Sequence, residues 1–481
     1  MNHYHALAEP TGQAFASLIE TTAAMARGDA SPVQLCKDML ARIETYDDAL
    51  GSYTFVGAEA ALAAAETAEA EIAAGLRRGP LHGAPIAVKD LCMTTDAPTS
   101  AGMKIHEAFD AGRDSTVVAR LRQAGAVILG KLTMTEGAYA GHHPEMKTPL
   151  NPWNAEIWTG ASSSGSGAAT AAGLCFGSLG SDTGGSIRFP CHACGLSGMK
   201  PTWGRVSRAG VFALADSLDH VGPMARSVED AAAILGVIAG LDSDDPTTVT
   251  PPPCDYLAAC GAPMAGVRIG FDRATVSAAV APEIAAALDG ALDVLAKLGA
   301  RITPVALPDE TGLDDAWNAL CFVEALIAHE KTWPSQSEHY GPQLAAVMTA
   351  GEAVSGAELG RAIQRRLTFR GAYARATEEV DMVLLPVMSN TTPLMTDWNR
   401  FLSGEAEGGD LGGLLSWTAS ADMTGDPALT IPAGFDANGG PIGVQLVGKH
   451  LGEADLFRVG HAFQTVTDWH LRRPDLSPFA T

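Results

Sequence analysis

The chain has 481 residues, of which 47% are hydrophobic and 18% are charged, and its formal net charge at pH 7 is −23. This composition is typical of a globular protein with enough apolar residues for a large core. A chain this acidic repels nucleic acid and anionic membrane surfaces, so we expect neither as a partner.

Targeting segments and a disulfide framework are not visible. The first fifteen residues, MNHYHALAEPTGQAF, lack a basic stretch followed by an apolar one, and no apolar run reaches about 18 residues. The eight cysteines are scattered, as is usual where thiols stay reduced. We therefore expect a cytoplasmic protein without a signal peptide or a membrane-spanning helix.

The N-terminal region, residues 1–77, has helical patterns. In ASPVQLCKDMLARIETY, Ser31 is a suitable N-cap and Pro32 a suitable first helical residue. The later segment GAEAALAAAETAEAEIAAGLRRG is rich in alanine and closes at glycine, which predicts a second helix.

After this region, short apolar runs alternate with helical segments. APIAVKD and AVILGKL flank the helical STVVARLRQAG, and the alternation returns in GVRIGFD, EIAAALDGALDVLAKLGA, RITPVAL and DMVLLPV. Short apolar runs between turn signals predict buried strands, and their alternation with helices predicts an α/β sheet with helices on its faces. Segment 243–253 resembles a surface linker, but alternation resumes after it, so we place no domain boundary there.

Residues 311–420 form a helical and then irregular region. It contains four of the eight tryptophans, namely Trp317, Trp333, Trp398 and Trp417. These side chains either pack in the core or form an apolar lid over a substrate pocket, and the pattern leaves both open. Segment 403–415, SGEAEGGDLGGLL, is predicted to be a mobile loop.

Three segments carry residues suited to chemistry. Lys89 closes the strand-like run in GAPIAVKD, TGASSSGSGAATAAG joins serines to glycines, and GSDTGGSIRFP (180–190) places Ser186 directly after two glycines. Glycine permits unusual backbone angles and leaves backbone N–H groups open to a ligand. Each segment alone is more typical of a surface lysine or a flexible loop, so only their combination indicates a site.

Other motifs do not fit. The glycine–serine run lacks the P-loop pattern GxxxxGK[ST], and neither serine-rich segment contains GxSxG. SGMK (197–200) matches SxxK but lacks the partner motifs of penicillin-recognising enzymes. Cys191 and Cys194 lack a second CxxC or a spaced histidine pair, and His142 and His143 lack a third ligand. We therefore expect no metal site.

Taken together, the three segments resemble the amidase signature family. The signature here is GASSSGSGAATAAGLCFGSLGSDTGGSIRFPCHACGLSGMKPTWGRVS, preceded by LHGAPIAVKD. Ser162 and Ser186 are 24 residues apart and Lys89 lies 73 residues before Ser162, as is typical of that family's catalytic residues. Ala161 and Ser164 stand where the family commonly has glycine. The resemblance covers nearly the whole chain.

The resemblance implies one large α/β domain over residues 1–481. Its core would be a mixed β-sheet flanked by helices on both faces. The N-terminal helical segment, 1–77, would precede a signature core, 78–240, that carries the catalytic residues. The region 311–420 would be a variable segment that forms the substrate pocket or a lid.

The resemblance also implies a catalytic triad. Ser186 would be the nucleophile, Ser162 the bridging serine with a cis peptide bond before it, and Lys89 the base. A serine hydroxyl needs a partner that takes its proton, and lysine does so only when burial lowers its pKa enough to leave it neutral. Asp90 would oppose this, but adjacent strand residues point to opposite faces, so we expect Asp90 to face away.

The glycines beside the nucleophile have a function in this interpretation. The backbone N–H groups of Thr183, Gly184, Gly185 and Ser186 would form the oxyanion hole, where larger side chains would block the substrate carbonyl. Arg188 is expected to anchor the loop, with a substrate contact as the alternative. The segment Met134, Thr135, Glu136 and Gly137 resembles a family segment that lines the acyl pocket.

The implied function is that of a serine amidohydrolase. It would cleave amide C–N bonds of a small molecule through an acyl-enzyme, with no metal or cofactor, as a monomer or homodimer. Carbamates, urethanes and esters present a similar carbonyl. One alternative is the A subunit of a glutamine-dependent tRNA amidotransferase, although Phe189 stands where that subunit typically has glutamine. The other is a non-catalytic binding homologue.

Overall fold

The computed structural model describes residues 14–250, 254–405 and 413–480. Eleven strands of the described chain form one sheet, in the order β1-β3-β2-β4-β6-β5-β10-β11-β9-β7-β8. In chain order these strands are β1 (Tyr53–Val56), β2 (Pro85–Lys89), β3 (Val127–Leu132), β4 (Gly177–Asp182), β5 (Ser197–Lys200), β6 (His220–Ala225), β7 (Arg268–Phe271), β8 (Arg301–Pro304), β9 (Met382–Pro386), β10 (Ala428–Phe435) and β11 (Pro441–Gly448).

The same ranges contain sixteen α-helices. They are α1 (Leu18–Arg27), α2 (Pro32–Leu50), α3 (Ala58–Ala73), α4 (Thr116–Gln123), α5 (Ser164–Ala171), α6 (Arg188–Cys194), α7 (Val228–Ile238), α8 (Tyr256–Cys260), α9 (Arg273–Ala279), α10 (Pro282–Lys297), α11 (Leu313–Ala328), α12 (Pro342–Ala353), α13 (Gly356–Ala376), α14 (Met395–Leu402), α15 (Ala419–Thr424) and α16 (Glu453–Gln464). None of these helices is long and apolar enough to cross a lipid bilayer.

The sheet is mixed. β3, β2 and β4 pair in parallel, as do β9, β7 and β8. The edge strand β1 and the central strands β6, β5, β10 and β11 form antiparallel pairs. The prediction of one α/β domain with a mixed sheet between helices is thereby confirmed. The strands β7, β8 and β9, which follow segment 243–253 in the chain, belong to the same sheet; the last three residues of that segment lie outside the described ranges.

The start of α2 follows the sequence signals. The Ser31 hydroxyl accepts a hydrogen bond from the Gln34 amide at 3.0 Å, and Pro32 is the first helical residue. The helix ends at Gly51, whose φ of +65° is the left-handed conformation that glycine adopts easily. A strand, β1, follows directly, so the N-terminal region contributes a sheet edge as well as helices.

The parallel pair β2 and β4 positions the site. Every residue of both strands is buried, and the C-terminal ends of parallel neighbours meet at one sheet edge. Helix α5, built from glycine, serine, alanine and threonine, is also buried throughout. A Cβ at Gly165 would press on the backbone oxygens of Ser52 and Thr133. Small residues are therefore required for α5 to lie close to the strand ends.

Candidate active site

Lys89, at the C-terminal end of β2, is fully buried among serine hydroxyls. Its Nζ donates to Ser162 Oγ at 2.7 Å, Ser163 Oγ at 2.9 Å and Ser181 Oγ at 2.8 Å. Burial lowers the pKa of Lys89 from its ordinary value to about 7. A large fraction of the amine is therefore neutral near pH 7, and a neutral amine can accept a proton.

Asp90 points away from Lys89, as expected for the next residue along the chain. Its Oδ1 lies 2.9 Å from Lys131 Nζ, and both side chains are buried. Its Oδ2 accepts hydrogen bonds from the amide and hydroxyl of Ser100. The carboxylate of Asp90 is thus engaged by another cation and does not pair with Lys89.

Ser162 lies between Lys89 and the segment that carries Ser186. The peptide bond between Ala161 and Ser162 is cis. The carbonyl of Ser162 accepts a hydrogen bond from the Thr135 amide at 3.1 Å, and the amide of Ser163 donates to the carbonyl of Ser186 at 3.3 Å. The two serine segments are therefore joined through their backbones next to Lys89.

Ser186 is the one residue between positions 157 and 194 that is not buried. It lines a cavity of about 300 Å³. Ser186 is therefore the most exposed residue of this otherwise buried segment, and it borders a space that can hold a small molecule.

Asp182 organises the loop that carries Ser186. One carboxylate oxygen accepts a hydrogen bond from the Gly185 amide at 2.6 Å, and the other accepts from the Ile187 amide at 3.0 Å. Both contacts come from residues adjacent to Ser186. The carboxylate therefore holds the backbone on either side of the serine.

The four loop amides are not equivalent, which corrects the expectation for Gly185. Its N–H already donates to Asp182, and Gly185 does not line the cavity, whereas Thr183, Gly184 and Ser186 do. Gly185 also has a φ of +133°, and a Cβ there would overlap the Phe189 ring. Glycine at this position is required by the turn, whereas Thr183, Gly184 and Ser186 are the loop residues that line the cavity.

Arg188 is an anchor inside the protein. It is fully buried, and its guanidinium binds Asp182, Asp422 at 2.6 Å, the Thr418 carbonyl at 2.8 Å and Gln445 at 3.1 Å. Burial alone would raise the pKa of the Asp182 carboxyl, but the adjacent Arg188 outweighs burial and holds that pKa well below its usual range. The alternative of a substrate contact is excluded for Arg188, because it does not line the cavity.

The cavity walls are mainly apolar. Six aromatic side chains line it: Tyr139, Trp158, Phe189, Trp317, Trp398 and Phe401. Trp158 stacks on Trp398 with ring centroids 4.3 Å apart, and Trp317 Nε1 donates to the Thr183 carbonyl at 2.8 Å. An apolar wall of this kind favours apolar parts of a ligand.

The tryptophans of region 311–420 divide into two groups. Trp317 and Trp398 line the cavity, so these two side chains form part of a pocket wall. Trp417 donates to Ser389 Oγ at 2.9 Å and Trp333 donates to Glu352 at 2.8 Å, and neither lines it. Of the segment predicted to be a mobile loop, positions 406–412 lie outside the described residues, while Gly413, Leu414 and Leu415 line the cavity.

The segment Met134–Gly137 is buried behind the cavity wall. The lining residues are the next three, Ala138, Tyr139 and Ala140. These three residues directly follow the segment that the resemblance indicates, and the assignment of Met134–Gly137 to substrate binding stays a prediction. Sequence reasoning missed the other lining residues from distant segments: Trp158, Leu214, Asp314, Asn318 and Phe401.

The remaining motifs have structural roles. Cys191 and Cys194 are buried free thiols in α6. His142 Nε2 lies 2.9 Å from Ser164 Oγ, and burial lowers the pKa of His142 to about 4. Within the described ranges no group of three or more His, Cys, Asp or Glu side chains is arranged to hold a metal ion.

Comparison with known proteins gives consistent matches. The family model named Amidase matches residues 34–457. The protein named "Putative amidase AmiD" of Mycobacterium tuberculosis is 46% identical over 449 residues, which cover 92% of each chain. The A subunit of the glutamyl-tRNA(Gln) amidotransferase of Roseiflexus sp. is 38% identical, and the match covers 96% of this chain and 98% of the relative.

A solved structure matches over the same extent. The native peptide amidase of Stenotrophomonas maltophilia superposes with a TM-score of 0.81 at 27% identity, covering 96% of this chain and 98% of that chain. The family model and the solved structure both match over most of the chain. The chain therefore belongs to the amidase family, as an enzyme that hydrolyses carbon–nitrogen bonds.

Proposed function

We propose that this chain is a serine amidohydrolase that acts on small, mainly apolar amides through an acyl-enzyme on Ser186. The observation that carries the proposal is the position of Ser186 on the aromatic cavity, beside a buried Lys89 that donates to Ser162 Oγ at 2.7 Å. Because the walls are aromatic, we expect aryl or alkyl amides as substrates. Carbamates, urethanes and esters offer a similar carbonyl and are expected as secondary substrates.

The first chemical step forms the acyl-enzyme. Neutral Lys89 accepts the proton of Ser162, which in turn accepts the proton of Ser186 as its Oγ attacks the substrate carbonyl carbon. The carbonyl oxygen becomes an oxyanion, and the amides of Thr183, Gly184 and Ser186 stabilise it. One such donor is worth about 2.7–4 kcal/mol of transition-state stabilisation.

The proton then returns to the leaving group. Ser162 donates a proton to the departing amine nitrogen and recovers one from Lys89, so the C–N bond breaks and the acyl group stays on Ser186. Water attacks this ester with the same lysine and serine as the base. Every step uses side chains and amides of the chain itself.

The experiment combines turnover with labelling of the nucleophile. The purified chain is incubated with a neutral aryl anilide, and a fluorophosphonate probe is mapped by mass spectrometry. We expect amine release and a label on Ser186, both lost in Ser186→Ala and both kept in Ser335→Ala, a change at an exposed serine. Release by Ser186→Ala, or a label on another residue, would contradict the proposal.

A second candidate is the A subunit of a tRNA amidotransferase. It is favoured by the 38% identity to the Roseiflexus protein of that name over nearly the whole chain. Phe189, which lines the cavity where that subunit typically has glutamine, argues against this candidate. Glutamine hydrolysis without anilide hydrolysis would favour this candidate, and absence of both activities and of labelling would favour a non-catalytic homologue.

The pH dependence tests the assignment of the base. Because Lys89 works as a base only when neutral, and burial places its pKa at about 7, kcat/KM for a neutral amide should rise with pH and level off above about 7. Burial also raises the pKa of Glu136 to about 7. The inflection should therefore persist in Glu136→Gln. An inflection that disappears in this variant would assign the titration to Glu136 instead.

The hydrogen bond from Trp317 to the nucleophile loop should affect catalysis. Trp317→Phe keeps most of the aromatic wall but removes the Nε1–H that donates to the Thr183 carbonyl. We expect kcat/KM to fall about fivefold, the effect of one neutral hydrogen bond. Trp333→Phe removes a similar bond to Glu352 away from the cavity and should leave kcat/KM unchanged. Equal losses in both variants would show a general effect on folding.

A further inference from the structure

One carboxylate stands in the aromatic wall of the cavity. Among the described residues that line it, Asp314 is the single acidic side chain, and lysine, arginine and histidine are absent. A cavity meant only for neutral apolar groups needs no carboxylate. Asp314 therefore gives the cavity a negatively charged group, whose presence the apolar character of the aromatic rings does not explain.

Asp314 lies on the face of α11 that forms the wall. Trp317 and Asn318 follow it by three and four residues and also line the cavity, as expected for residues that share one helical face. Trp317 donates to the Thr183 carbonyl next to the proposed oxyanion donors. Asp314 is thus about one helical turn, about 5 Å, along the same wall from a residue that contacts the nucleophile loop.

The carboxyl of Asp314 has no compensating partner in the described region of the chain. Its pKa is raised by burial and by the neighbouring charge of Asp315. Neither influence is a hydrogen bond or an ion pair. The ionised form of a half-buried carboxyl without a partner is stabilised when a cation enters the cavity.

We propose that this cavity selects amide substrates that carry an ammonium group, which would bind Asp314 and the faces of the surrounding aromatic rings. Cations are attracted to aromatic faces, most strongly to tryptophan, and the attraction grows when water is excluded. The net charge of −23 adds a long-range attraction for cationic ligands. This inference rests on the proposed function, because it takes the Ser186 cavity as the substrate pocket.

A simpler role for Asp314 is stabilisation of the helix N-terminus. Acidic residues in a first turn interact favourably with the helix dipole, and α11 has both Asp314 and Asp315 there. Asp315 differs because it is exposed and lines a separate surface groove with Glu358 and Arg361. Asp315→Asn is therefore a matched control, since it removes the same kind of helix-terminal charge without changing the cavity.

The experiment compares two p-nitroanilides of the same shape. One has an acyl chain that ends in a trimethylammonium group, and the other ends in an uncharged tert-butyl group. A second pair places the same two groups on the amine side. The ratio of kcat/KM for the charged member to that for the neutral member is measured in the wild type, Asp314→Asn, Asp314→Glu and Asp315→Asn.

We expect the wild type to prefer the charged member of at least one pair. This preference should fall about tenfold in Asp314→Asn, equal to about 1.4 kcal/mol, and should be retained in Asp314→Glu and Asp315→Asn. No preference in the wild type, or a preference that survives Asp314→Asn, would overturn the inference. Labelling of Ser186 with hydrolysis of the neutral member would show that the proposed function stands in that case, whereas loss of both would show that it fails too.

Discussion

Replacement of Lys89 by methionine is expected to lower kcat for amide hydrolysis about 10⁴-fold, the scale seen when one member of a catalytic group is removed. Methionine fills a similar volume but cannot accept the proton that Ser162 and Ser186 must release. Because the change removes a buried amine but leaves the buried hydroxyl of Ser181 without its partner, it should lower the free energy of unfolding by about 1–3 kcal/mol. The measurement is kcat per folded molecule, together with the thermal unfolding midpoint.

Lys131 provides the control. It is a second buried lysine on the adjacent strand β3, where its Nζ pairs with Asp90 at 2.9 Å. Lys131→Met leaves that carboxylate buried without its cation and should destabilise the protein by about 3 kcal/mol. Its folded molecules should nevertheless keep most of their kcat. Equal losses of kcat in the two variants would show that Lys89 acts through packing and not as the base.

The residues of the proposed triad can be predicted from sequence because each lies in a short motif with local requirements. Ser162 and Ser186 are surrounded by glycine and other small residues, which the close packing of α5 and the turn at Gly185 require. Lys89 ends an apolar strand, and the parallel pairing of β2 with β4 brings it to the same sheet edge. Local pattern and family resemblance therefore indicate the same place.

The residues of the cavity wall cannot be predicted from short local motifs. Trp158 and Trp398 are stacked in the structure but lie far apart in the chain, and their contact depends on the isolated bridge between Ile157 and Leu394, which brings the start of α14 to Trp158. Arg188 meets Asp422 across 234 residues of sequence. Charge and aromatic content can be read from the chain, but these long-range neighbours follow only from the complete topology.

The function of Gly185 can be predicted from the sequence only in part. A pattern of glycines shows where the backbone is free, but it does not show which amides already have an acceptor. Asp182 lies three residues before Gly185, and aspartate commonly accepts hydrogen bonds from amides just after it in turns. This local signal separates Gly185 from Thr183, Gly184 and Ser186, although it does not show which amides face the cavity.

The change Asp182→Asn should damage both stability and catalysis. It removes the charge that faces Arg188 and weakens the acceptor for the amides of Gly185 and Ile187. Breaking a buried ion pair typically lowers the free energy of unfolding by about 3–5 kcal/mol, and we expect about 3 kcal/mol because Arg188 retains Asp422. A loop that no longer holds Ser186 and the oxyanion donors in place should also lower kcat about a hundredfold.

A matched variant separates these two effects. Glu453 is a fully buried carboxylate that pairs with Arg205 at 2.7 Å and accepts from the Thr202 amide at 2.8 Å, away from the cavity. Glu453→Gln should therefore lower stability by a similar amount. Its folded fraction should still react with a fluorophosphonate at the wild-type rate, whereas that of Asp182→Asn should react much more slowly. If both variants react equally fast per folded molecule, Asp182 supports the fold alone, and the position of Ser186 must be determined by the contacts around Ser162 and Ser163.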